Sequence, residues 1–301
     1  MKTFFSLCIL NFAFGLSQAA DAPVGLTLAA PPAPATSAAG TKGPVPLRVA
    51  VDATMPPLIY QNGDKFVGME AEFARGLGAA LGRPIVFVKA SSGDLISALL
   101  DNQADIVMSG LTVTTLRLVR VAFCDPYLRV GQVAMCRTGD LAGYTNNDNF
   151  TNIHSPIGVV AGSTAEALVS AQFAFAHHTT FSTLPEAESA LLAKQVDLVV
   201  TDYPLALWQS SEHEATLAVI PSELDQENFA WAVRKDDNQL RQAANAYLAQ
   251  QKKSGALAEL VRKSFPVATD AAIGPAPAAA APSAPAASPA TSTPTANVGA
   301  R

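Results

Sequence analysis

The sequence is poor in the residues that build metal sites and disulfide frameworks. It has 3 cysteines and 4 histidines in 301 residues, with no CxxC and no HxxxH spacing, so neither a zinc site nor any other metal or cofactor is expected. It is also poor in charge: 15% of residues are charged and the formal net charge is −5. No basic run occurs, which argues against nucleic acid as a partner. Beyond the N-terminus no apolar stretch reaches about 18 residues, so no membrane-spanning helix is expected in the mature chain.

Proline is plentiful but misplaced for a globular fold. Twelve of the 21 prolines lie in 23–46 and 275–294. The last 35 residues hold 14 alanines and six prolines, with Asp270 and Arg301 their only charges. Without 1–46 and 267–301 there remain 220 residues with 17 Lys+Arg and 23 Asp+Glu, a net charge of −6. That is enough chain for a sizeable core or two half-size ones.

The N-terminus reads as a secretory signal. Lys2 precedes a short apolar run to Leu16, and Ser17-Gln18-Ala19-Ala20 supplies small residues for cleavage after Ala19. The signal peptide is therefore 1–19, and no cysteine follows it to carry a lipid anchor. Residues 20–46 and 267–301 lack hydrophobic periodicity and read as disordered Ala/Pro-rich linker and tail. Export removes Cys8 and leaves Cys124 and Cys136. In an oxidising compartment these either form a disulfide or stand as two separate buried thiols.

The core alternates strand and helix patterns. Leu47-Arg48-Val49-Ala50-Val51 is strand-like and 70–81 is amphipathic at helical spacing. Strand 85–88, a helix capped by Asp94, and strand 106–108 follow. The pattern restarts with strand 157–160, a helix after Gly162-Ser163-Thr164, a short strand at 179–181, helix 185–193, and strand 196–200 ending at Thr201-Asp202. Strand 229–233 and helices 238–250 and 257–264 close the core. Repeated β-α-β units imply an α/β fold with parallel sheets. Ligands of such sheets bind beyond the carboxyl ends of strands. Asp52 to Met55, Ser109 to Thr112, Gly162 to Thr164 and Thr201-Asp202 lie at such ends.

Ordered landmarks carry a resemblance. Val67-Gly68-Met69-Glu70-Ala71-Glu72-Phe73 resembles a G-F-D-x-D-L run. The stretch from Asp105 to Arg117 resembles D-x-x-x-S-G-M-T-x-T-x-x-R. Phe123-Cys124-Asp125-Pro126-Tyr127 resembles F-S-x-P-Y, and the stretch from Ile157 to Thr164 resembles V-G-V-x-x-G-T-T. Together, over 47–266, the chain resembles the periplasmic amino-acid-binding proteins of ABC importers, the polar and basic amino-acid family. The resemblance implies a two-lobe periplasmic-binding-protein fold (type II), with two hinge strands and a ligand cleft between the lobes. Lobe 1 would be 47–132 plus 231–266 and lobe 2 would be 133–230, with crossings near Gln132–Met135 and Phe229–Val233.

The same resemblance implies a ligand site. A free amino acid needs a bidentate donor for its carboxylate and an acid for its ammonium. Arg117 would clamp the carboxylate, with Thr112 and the backbone N–H groups of Ser163 and Thr164. Asp202 and the Gly110 carbonyl would take the ammonium, with Ser109 beside them. Asp52 would face the distal end of the ligand. Met55 and the Ser92-Gly93 segment stand where the family often carries two aromatic rings. Asp202 and Ser163 read equally as helix N-caps, and Tyr60 and Trp231 as packing residues. The expected function is capture of a free amino acid by hinge closure and delivery to an ABC permease, by a periplasmic monomer that is not an enzyme. The alternatives are a sensor or accessory binding subunit, or an exported dehydratase-like enzyme on the same fold.

Overall fold

The computed structural model describes residues 43–145 and 153–265. The expected signal peptide, the linker up to residue 42 and the tail lie outside these residues. In chain order the elements begin with β1 (Leu47–Val51), β2 (Thr54–Met55), β3 (Ile59–Asn62), β4 (Lys65–Val67), α1 (Met69–Leu81) and β5 (Ile85–Lys89). Then come α2 (Leu95–Leu100), β6 (Ile106–Val107), α3 (Thr115–Arg120), β7 (Ala122–Phe123), β8 (Leu128–Arg137) and α4 (Leu141–Thr145). The second half adds β9 (Ile157–Val160), α5 (Thr164–Gln172), β10 (His178–Phe181), α6 (Leu184–Leu192), β11 (Leu198–Asp202) and α7 (Tyr203–Glu212). The last elements are β12 (Leu217–Val219), β13 (Asp225–Phe229), β14 (Ala232–Val233), α8 (Asn238–Ser254) and α9 (Ala256–Ser264).

The strands form two main sheets. One runs β5-β1-β6-β14-β7 and the other β10-β9-β11-β8-β12, with β13 also on β8. A small antiparallel sheet, β2-β3-β4, flanks the first. The parallel pairs β1–β5, β1–β6, β9–β10 and β9–β11 are those the alternating pattern requires. Two α/β lobes result, and the chain passes between them twice.

Both passages share one ribbon. β8 and β13 pair antiparallel from Leu128↔Phe229 to Gln132↔Asp225. The expected outward crossing at Gln132–Met135 is corrected by this register, because those residues already pair with β11 inside the second sheet. The crossing falls just after β7, where the Cys124 amide donates to the Trp231 carbonyl at 2.8 Å. The expected strand 229–233 is likewise two strands in different sheets, β13 and β14. The run Phe229-Ala230-Trp231-Ala232-Val233 is buried throughout, so hydropathy alone could not mark the switch.

An aromatic cluster anchors the first lobe. Trp231 is fully buried, with ring centroids 5.6 Å from Phe73, 5.7 Å from Tyr127 and 6.2 Å from Tyr247. At its centre sits Glu70, a fully buried carboxylate. It accepts from the Gly110 amide at 3.0 Å, from Trp231 Nε1 at 2.9 Å and from the Tyr127 hydroxyl. Burial raises its pKa, and the three donors oppose that shift. Trp231 is thus a packing residue, as expected.

The disulfide alternative is corrected. Cys124 and Cys136 are both free and buried. Cys124 packs in the cluster that contains Trp231, and Cys136 in a separate cluster with Phe173 and Ile220. Burial pushes the Cys124 thiol up to about 12 and the Cys136 thiol up to about 11. Both stay protonated at pH 8, and a thiol reacts as its thiolate. A thiol-reactive chromophore at pH 8 is therefore expected to leave both unmodified in the folded protein and to modify both in denaturant. Rapid labelling of either in the folded state would contradict the packing.

Candidate functional site

A cavity of about 40 Å³ lies where the strand ends of the two lobes meet. Asp52, Thr54, Met55 and Ser92 line it from the first lobe. Gln132, Ser163, Thr164, Ala165, Thr201 and Asp202 line it from the second, with Val160, Leu184, Val200 and Leu205 as an apolar wall. Ligand pockets usually measure about 300 Å³ or more, so the lobes are drawn together here. At one point the two lobes meet backbone on backbone. Gly162, at φ +73, is placed so that a Cβ on it would lie 2.6 Å from the Gly93 Cα. Any side chain at Gly162 would push the lobes apart.

Each lobe sets its side chains with local rules. Asp52 follows β1, and its amide donates to Ser109 Oγ at 2.9 Å, which ties the ends of β1 and β6 together. Its carboxylate accepts from Thr54 Oγ1 at 2.7 Å and Ser92 Oγ at 2.6 Å. Gly110, at φ +60, hangs its amide on Glu70 and packs on Leu58 and Phe229. Ser163 caps α5 by accepting from the Glu166 amide. The cap reading thus holds for its hydroxyl. Asp94 stands at the N-cap of α2 without capping it, because its carboxylate accepts from Ser91 Oγ instead.

Asp202 differs from both. It occupies the N-cap position of α7 but makes no side-chain cap hydrogen bond. Its Oδ1 is buried and meets no donor among the described residues. Desolvation raises its pKa well above the carboxylate range, the Glu227 charge raises it further, and the Arg117 charge opposes both. An arriving cation would oppose the same shift and favour the ionised acid.

Arg117 spans the lobes. Its Nη1 donates to the Thr112 carbonyl at 2.9 Å and its Nη2 to the Gly162 carbonyl at 3.1 Å. Burial pulls its pKa down, and the Glu227 and Asp202 charges resist. Thr112 lies beside it and is buried. Of the expected site residues, Asp52, Met55, Ser163, Thr164 and Asp202 line the cavity. Arg117 and Thr112 flank it, while Ser109 and Gly110 sit one layer behind. Met55 and Ser92 occupy the wall, with Ser92 Oγ 3.9 Å from Met55 Sδ, and no ring stands there. Tyr60 instead meets Trp208 of the other lobe, ring centroids 6.4 Å apart.

Two residues were missed from sequence. Gln132 and Glu227, both on the ribbon, join Thr112 and Thr164 in one network. Thr112 Oγ1 and Thr164 Oγ1 donate to Glu227 Oε2 at 2.7 and 2.9 Å. Gln132 Nε2 donates to Glu227 Oε1 at 3.0 Å and to Thr164 Oγ1 at 2.6 Å. A signal was available: Gln132 is the one polar side chain in Val130-Gly131-Gln132-Val133-Ala134-Met135, and Glu227 sits in a strand with no apolar alternation. Among the described residues no His, Cys, Asp or Glu cluster is gathered to hold a metal, and no helix is long and apolar enough to cross a membrane.

Comparison with known proteins agrees with this geometry. The sequence profile of the bacterial extracellular solute-binding proteins, family 3, matches residues 47–267. The chain is 26% identical over 220 residues to the L-cystine-binding protein TcyJ of Escherichia coli, covering 73% of this chain and 82% of that one. It is also 27% identical over 183 residues to a cyclohexadienyl dehydratase of Pseudomonas aeruginosa, covering 59% and 66%. Among solved structures, an ancestral arginine-binding protein bound to arginine superposes with a TM-score of 0.67 at 29% identity, covering 74% and 99%.

A raised carboxylate pKa carries a sign for stability. Unfolded, Asp202 loses its proton near pH 4; folded, it keeps the proton to higher pH. Its contribution to stability therefore falls as pH rises from about 4 through the raised value. Asp202→Asn is expected to gain melting temperature over the parent, by an amount that grows from pH 4 towards neutral. A difference that does not change with pH would contradict the assignment.

Proposed function

We propose that this chain, which belongs to the bacterial extracellular solute-binding proteins, family 3, captures a free amino acid between its two lobes. The observation that carries the reading is Asp202, whose buried, donor-free Oδ1 lines the cavity close to an arginine that spans both lobes. An ammonium supplies what Asp202 lacks. A carboxylate matches the planar Arg117 fork, which now spends itself on two backbone carbonyls. The N-terminus of α5 turns its positive dipole end towards the cavity at Thr164, while the Ser163 amide, expected from sequence to serve the carboxylate, donates to the Val160 carbonyl at 3.2 Å instead. Because the two charged ends of the ligand engage different lobes, binding favours the closed arrangement over the open one.

The finer assignments belong to the same proposal. The site residues are Asp52, Met55, Ser109, Gly110, Thr112, Arg117, Ser163, Thr164 and Asp202, with Ser109 and Gly110 shaping it from behind. The first lobe ends at β7 and resumes at β14, the second runs from β8 through β13, and the β8–β13 ribbon is the hinge. The protein is an exported periplasmic monomer, released by cleavage after Ala19, that hands its ligand to an ABC permease of the inner membrane. Capture without chemistry is the preferred reading over dehydration, despite the likeness to the dehydratase. Asp52 is held by Thr54 and Ser92, and none of the histidines lines the cavity.

A melting screen of the twenty amino acids tests the reading. A ligand at 100 times its Kd is expected to stabilise the protein by about 2.7 kcal/mol. Arg117→Ala is expected to abolish that shift while leaving the unliganded melting curve cooperative. No shift with any amino acid would overturn the amino-acid reading, turnover of a bound ligand would overturn capture without chemistry, and retained affinity in Arg117→Ala would overturn the clamp.

A further inference from the structure

Both side chains assigned to the ligand's carboxylate, Arg117 and Thr112, are already occupied by groups of the chain itself. Arg117 is spent on the carbonyls of Thr112 and Gly162. Thr112 and Thr164, one from each lobe, donate to a single oxygen, Oε2 of Glu227. Gln132 donates to the other oxygen, Oε1. Glu227 is therefore a carboxylate bound by the hydroxyls of both lobes, in the place where a ligand's carboxylate would bind them. It comes from β13, half of the ribbon that joins the lobes.

We propose that Glu227 is a resident carboxylate that latches the unliganded lobes together and selects ligands by whether they can displace it. The latch follows from the bonds alone: parting the lobes must break Thr112 or Thr164 away from Glu227 Oε2. The selectivity rests on the amino-acid reading above. An amino acid must drive Glu227 off both threonines to seat its own carboxylate. An amine that lacks a carboxylate needs only Asp202 and leaves the latch in place. Glu227 thus lowers the apparent affinity for amino acids more than for the corresponding amines, because only a ligand with a carboxylate must also break the bonds that hold Glu227.

The test uses the mature chain from residue 20, without Cys8, with spin labels on two exposed positions, Gln61→Cys at β3 of the first lobe and Glu212→Cys at the end of α7 of the second. Both native thiols of the core are buried. Without ligand, the parent is expected to give a short, narrow distance distribution. Glu227→Ala and Thr164→Val are each expected to shift it to longer distances, and Glu227→Gln, which keeps the shape, to shift it in the same direction. An unliganded parent that is already open, or variants that stay as closed as the parent, would overturn the latch. The second readout is the affinity of L-arginine relative to agmatine, the amine left when its carboxyl group is removed. That ratio is expected to rise about tenfold in Glu227→Ala, the effect of one charge-assisted hydrogen bond. An unchanged or falling ratio would overturn the selectivity. Binding of neither compound to either protein would overturn the selectivity, and the distances decide the latch on their own.

Discussion

The fold hangs on a two-stranded ribbon. β8 and β13 carry the chain out of the first lobe and back, paired from Leu128↔Phe229 to Gln132↔Asp225. Within an antiparallel pair, residues opposite one another and on the next diagonal share a face. Val130 faces Glu227 and Gln132 faces Asp225, so Gln132 and Glu227 are diagonal neighbours on one face. The register that joins the lobes therefore also delivers an amide and a carboxylate to the gap between them. The first lobe offers Thr112 to that carboxylate and the second offers Thr164. The hinge and the polar heart of the site are one piece of backbone.

Charge balance then governs what the site accepts. Arg117 flanks a cavity lined by Asp52 and Asp202, and it feels the charges of Asp202 and of Glu227 nearby. Burial and the Glu227 charge hold Asp202 towards its neutral form, since like charges at short range in a poorly solvated site cannot both ionise without cost. An incoming ammonium offsets that excess of negative charge and lets Asp202 ionise. The selection for a positively charged group thus comes from the whole set of acids. The apolar wall of Val160, Leu184, Val200 and Leu205, with Met55 opposite, leaves the rest of the ligand to van der Waals contact in place of ring stacking.

Much of this was legible in the sequence because the relevant signals are local. Strand ends, helix starts and the alternation of β and α patterns follow from periodicity and capping, so β1, α1, α5, α6 and β9 fall near their expected positions. The residues at strand ends that line the cavity, Asp52, Thr164 and Asp202, follow from the same rule. What was not legible depends on partners distant in sequence. The small sheet β2-β3-β4 has short mixed strands with no alternation to read. The split between β13 and β14 is invisible in a run that is buried throughout. Whether Cys124 and Cys136 meet depends on how the β7–β8 connection and β8 pack, in two separate clusters. Glu227 meets Gln132 across 95 residues of sequence; the lone polarity of Gln132 and the unpatterned β13 mark each as unusual, but neither names its partner.

A structure of the complex with the amino acid that stabilises the protein most tests the account directly. The account predicts the ligand's carboxylate on Arg117, its ammonium on Asp202, and Glu227 withdrawn from Thr112 and Thr164. A ligand seated with its carboxylate away from Arg117, or with Glu227 still bonded to both threonines, would contradict it.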